Sequence, residues 1–111
     1  MNWNTKKVGN TFLIEIEGEI MGGAEADDFK DIIFKSIEDD IVDIIVDMKK
    51  ATWMNSSGLG MLISGLTTLR SSGGDLRLAN VSERVRRPLE ITKLDTVFSI
   101  YESVEEAIQS Y

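Results

Sequence analysis

The chain has 111 residues, 42% hydrophobic and 28% charged, a composition suited to one globular domain, here residues 1–111, with a single core. Its formal net charge of −7 argues against a general electrostatic footprint for nucleic acid. It has neither cysteine nor histidine, which excludes a disulfide, a cysteine-based metal site and a Ser-His-Asp triad within one chain.

Taken in order, Asn2 to Val8 suits a short edge strand that turns through Gly9-Asn10. Thr11 to Gly18 alternates as a half-buried strand does, with Gly18 as its expected end. Gly22-Gly23 marks a break. Ala26, Phe29, Ile33 and Ile37 then recur at helical spacing, opposite a solvated face of Asp27, Asp28, Asp31 and Glu38. Ile41 to Met48 is rich in β-branched residues, as expected of a central strand covered on both faces. Its apolar character resumes at Ala51 to Met54. A second helix carries Leu59, Leu62, Ile63, Leu66 and Leu69, and should run to about Arg70 before Ser71-Ser72-Gly73-Gly74. Asp75 to Asn80 reads as a strand. Ser82 is a candidate cap for a helix to Leu94 with Val85, Leu89 and Leu94 inward. Pro88 inside it predicts a kink or a late start, and Lys93 stands near its end where glycine would be easier. Val97 to Ile100 reads as a short strand, and Ser103 as the cap of a last helix turning Val104, Ala107 and Ile108 inward.

Strands alternating with helices in this way predict an α/β fold. The sheet should be mostly parallel with a mixed edge, with about five strands and about four helices. No segment has the length and apolarity of a bilayer span, and Met1 to Asn10 lacks a signal-peptide pattern, so a cytoplasmic protein without membrane insertion is expected.

The junction Met54-Asn55-Ser56-Ser57-Gly58-Leu59-Gly60 carries the strongest functional signal. It sets hydroxyls at a helix start, where backbone N–H groups lack partners and the helix dipole favours negative charge. The plain alternative is that Ser56 and Ser57 only cap the helix. Gly58 and Gly60 are poor helix formers, so something should approach the backbone there, a partner chain being the expected candidate. Met61 falls off the Leu59–Leu62–Leu66 stripe and is expected to be exposed. Trp53 is most simply a core residue, with an exposed anchor as its alternative. Arg84, Arg86 and Arg87 form the one basic cluster, either a solvated face or an anion contact.

At Asn55-Ser56-Ser57-Gly58-Leu59-Gly60 the chain resembles a STAS domain of the stand-alone anti-sigma-factor antagonist family. Gly18-Glu19-Ile20, Ile45-Val46-Asp47-Met48, Gly73 to Leu78, Ser82 with Val85 and Leu89, Leu94-Asp95 and Tyr101 to Ala107 extend the likeness over nearly the whole chain, in the family's order. The resemblance implies a non-enzymatic phosphoswitch. The unphosphorylated protein binds an anti-sigma factor that is also a serine kinase. Phosphorylation of Ser56 separates the two, and a serine phosphatase restores the binding form. By the same resemblance the partner surface comprises Met21, Asn55, Ser56, Ser57, Gly58, Leu59, Gly60 and Met61. This chain has Asn55 where the family usually has aspartate before the acceptor, and Met21 where the family commonly has aspartate after Gly-Glu-Ile. The alternatives are a constitutive docking subunit, for example on the ATPase of a lipid-transport ABC assembly, and a nucleotide-binding sensor built on the arginine cluster. No cofactor, metal site or catalytic set is expected, and either a monomer or a weak dimer would suit.

Overall fold

The structure is a computed structural model and describes residues 2–111. Among the described residues, five strands form one sheet in the order β1-β2-β3-β4-β5: β1 (Asn2–Val8), β2 (Thr11–Ile20), β3 (Asp43–Met54), β4 (Asp75–Ala79) and β5 (Ile100–Tyr101). β1 and β2 form an antiparallel hairpin turned at Gly9, which has φ 62°. The remaining pairs are parallel, joined by helices α1 (Ala24–Glu38), α2 (Ser56–Ser71) and α3 (Glu83–Ile91), and α4 (Val104–Gln109) follows β5.

Alternation along the central strand divides two layers. Ile44, Val46 and Met48 of β3 enter a core shared with Phe29 and Ile33 of α1, Leu62, Leu66 and Leu69 of α2, and Val85 and Leu89 of α3. Ile45 points the other way and meets Leu13, Ala79 and Ala107, with Val104, Ile108 and Tyr111 packed around them. Three helices therefore cover one face of the sheet, and α4 covers part of the other.

Several local expectations are corrected. β2 does not stop at Gly18. Register shifts between Glu15 and Glu17 and between Gly18 and Glu19 absorb the irregularity, and the strand continues to Ile20. The same shifts let Met48, Ala51 and Met54 of β3 all face inward at intervals of three, which strict alternation forbids. α3 starts directly after its cap, Ser82, whose side chain accepts from Val85 N–H, so Pro88 does not delay it. The helix ends at Ile91 rather than Leu94. Lys93 takes the left-handed conformation (φ 61°), and Leu94–Thr96 form a turn of 3-10 helix. Consequently Val97 to Ser99 are not strand, and β5 is confined to Ile100 and Tyr101.

Candidate functional site

The Asn55 turn lies at the C-terminal end of β3, beside the end of β2. Parallel pairing sets Glu19 against Trp53 and Ile20 against Met54. Asn55 extends this by one contact, its N–H donating to the Ile20 carbonyl at 3.1 Å. The chain then turns into α2. Asn55 is the N-cap: its side-chain oxygen accepts from Gly58 N–H at 2.8 Å, and its carbonyl accepts the first helical bond from Leu59 N–H at 3.0 Å.

That assignment leaves the two serines without the capping role. Ser56 and Ser57 occupy the first turn, exposed, and neither hydroxyl makes a hydrogen bond among the described residues. The turn also lacks a counter-charge. α1, α3 and α4 each carry an acidic residue in the first turn, whereas α2 carries none. An added anion on Ser56 would therefore meet the positive end of the helix dipole with no carboxylate of that turn to repel it.

The reason for Gly58 lies within the chain itself. Gly58 is buried beneath the end of β2, and a Cβ there would lie 2.1 Å from the Ile20 carbonyl oxygen. The close neighbour is thus this chain's own backbone rather than a partner. Gly22, at φ 74°, packs on the other side of the turn, where a Cβ would come within 2.8 Å of the Ser57 carbonyl. Gly60 faces open space. The loop after β2 and the first turn of α2 are accordingly fitted backbone to backbone.

Of the residues expected at the partner surface, Met21, Ser56, Ser57 and Gly60 are exposed and Asn55 is half-buried. Gly58 and Leu59 are buried. The expected exposure of Met61 is corrected. At 4% exposure it belongs to the core and lines a cavity of about 200 Å³ with Phe29, Ile33 and Gly65. α2 packs on the sheet and on α1 together, so its buried arc is wider than the leucine stripe.

Trp53 is corrected in the opposite sense. β4 pairs with β3 only as far as Asp47, and Trp53 lies beyond that point, 45% exposed beside α3. It lines one groove with Arg84, Arg87, Pro88 and Ile91. Trp53 and the arginines stand 31 residues or more apart in the sequence, and the fold joins them. The spacing 84, 87, 88, 91, one face of a helix, was the available signal. Among the described residues no group of acidic side chains is arranged to hold a metal ion, and no helix is long and apolar enough to cross a membrane.

Comparison with known proteins identifies the family of this fold. The STAS domain family model matches residues 2–107. The anti-sigma-B factor antagonist of Bacillus subtilis (strain 168) is 33% identical over 67 residues, which make up 60% of this chain and 62% of that protein's length, so the match spans somewhat under two thirds of that relative. A Thermotoga maritima structure described as a candidate anti-sigma factor antagonist superposes with TM-score 0.87 at 26% identity, covering 97% of this chain and 92% of the other. Unphosphorylated SpoIIAA, an anti-sigma factor antagonist, shares the fold with TM-score 0.84 at 23% identity, covering 98% and 95%. From the family match over nearly its whole length and the shared five-stranded architecture, the chain belongs to the STAS domain family.

Proposed function

We propose that this chain is an anti-sigma-factor antagonist, a non-enzymatic cytoplasmic protein of one domain switched by phosphorylation of Ser56. In its unmodified form it binds an anti-sigma factor through the Asn55–Gly60 turn and Met21. The anti-sigma factor is also the serine kinase. It transfers the terminal phosphoryl group of ATP to the Ser56 oxygen, ADP leaves, and the complex separates. A serine phosphatase hydrolyses the phosphate and restores the binding form.

One observation carries this reading: the Ser56 hydroxyl is exposed and makes no hydrogen bond among the described residues, because Asn55 performs the capping. Modification would then break nothing in the fold. It would add roughly −1.5 to −2 charges and three acceptor oxygens at the helix start. The same charge in a packed contact with an apolar or acidic surface opposes binding through desolvation and repulsion. The names of the relatives support the class of partner, and SpoIIAA has been solved in both unphosphorylated and phosphorylated forms.

The test is recovery of partners from native-host lysate on wild type, Ser56→Ala and Ser56→Asp. A kinase anti-sigma factor should be retained by wild type and Ser56→Ala and lost, by about tenfold or more, on Ser56→Asp. Equal retention on all three would instead favour a constitutive docking subunit. The neutral Asn55 and Met21, where the family usually carries acids, are the observation behind that second reading.

A further inference from the structure

We propose that the groove between Trp53 and α3 is a second contact for the partner that binds the Ser56 turn, and that the partner fills it with an apolar side chain flanked by carboxylates. The inference rests on the anti-sigma-factor reading of that turn and extends the surface to a separate element.

Trp53 and Ile91, the latter 72% exposed, are two of the five large hydrophobic side chains most open to solvent among the described residues. With Arg84, Arg87 and Pro88 they line a groove of about 390 Å³ that opens broadly to solvent. Positions 84, 87, 88 and 91 share one face of α3, away from Val85 and Leu89, which are fully buried in the core. The groove is therefore not a defect in core packing.

Charge identifies the occupant. The chain carries −7 overall, yet neither Arg84 nor Arg87 makes an ion pair or hydrogen bond among the described residues. Glu83 and Glu90 border the same arginines in an adjoining depression without pairing with them. Two unpaired guanidinium groups beside an exposed indole match the arginine and tryptophan anchors of protein interfaces, and carboxylates are their natural complement. A nucleotide is the weaker fit. Small-molecule sites are concave and bury most of their ligand, whereas this groove is shallow. Trp53 also precedes Asn55 by two residues, so the groove and the Ser56 turn lie at the same end of β3.

The test places a benzoylphenylalanine photo-crosslinker in the native host at Ile91 or at Gly60, whose added side chain would meet open space. Each position is examined with and without the pair Arg84→Glu and Arg87→Glu. The expected result is that both positions label one protein, that the peptide joined at 91 carries acidic residues beside an apolar one, and that charge reversal lowers both labels by at least about tenfold. Labelling at 60 alone, insensitive to charge reversal, would overturn the second contact and leave the Ser56 reading standing. Labelling at 91 alone, through such an acidic peptide, would retain the groove as a docking site and sink its link to the Ser56 turn. Labelling at neither position would overturn both. In a parallel titration of the chain carrying Trp3→Phe, which leaves Trp53 as its one tryptophan, saturable fluorescence quenching by ATP or GTP that disappears on charge reversal would reassign the groove to a nucleotide.

Discussion

Asn55 ties three backbone segments together: its N–H reaches the end of β2, its side chain holds the Gly58 N–H, and its carbonyl opens α2. Asn55→Ala removes the side-chain contact and should destabilise the fold by about 1 kcal/mol in urea titration, with an unchanged slope. Gly58→Ala attacks the same turn from beneath. Its Cβ would meet a backbone carbonyl that cannot rotate away, so β2 and α2 would have to separate. A loss of about 1–3 kcal/mol or more is expected, alongside weaker partner binding, since the loop carrying Met21 must move with β2. A Gly58→Ala protein as stable as wild type would show that the two backbones are not in contact. Gly60→Ala serves as the control, because nothing lies within 4 Å of the added carbon, and it should be neutral or slightly stabilising.

Among the elements, α4 depends on contacts that its own length cannot supply. It spans six residues, too short to persist alone, and begins on a Ser103 side chain that accepts from Glu106 N–H at 3.1 Å. Ala107 is fully buried against the sheet, and beyond the helix the Tyr111 hydroxyl lies 2.8 Å from the Asp75 carbonyl and also reaches the Ile44 carbonyl. The Arg77 guanidinium sits 4.0 Å from the centre of the tyrosine ring. Burial, with the nearby Asp75 carboxylate adding to it, pushes the phenol well above its ordinary value, while Arg77 opposes the shift. The fold therefore retains the protonated phenol. The stabilisation is fully present below the unfolded value of about 10 and fades as pH rises beyond it. Tyr111→Phe should cost about 1 kcal/mol at neutral pH, speed amide exchange in α4, and flatten the alkaline fall in stability above about pH 10. An alkaline limb identical in the two proteins would exclude Tyr111 as its source.

Across the whole molecule, sequence reading succeeded where a pattern has one physical cause. The β-branched run of β3, the Ser82 and Ser103 caps, the glycines at 73 and 74 and the awkward Lys93 each report a local preference, and each reappears in the fold. It failed where tertiary neighbours decide. No periodicity of α2 alone reveals that α1 covers Met61, and no feature of β3 reveals that β4 ends too early to shield Trp53. The turn at Asn55 was legible as a strand-to-helix junction. The division of labour within it was not, because whether Asn55 or a serine caps the helix depends on how the turn meets β2. If this turn is a phosphorylation switch, Ser56 is its acceptor. Phosphopeptide mapping of the chain purified from its native host, before and after phosphatase treatment, reads this out. One phosphate is expected, on Ser56, removed by the phosphatase. A chain unmodified under every growth condition, or phosphorylated on Ser57 in place of Ser56, would rule the switch out.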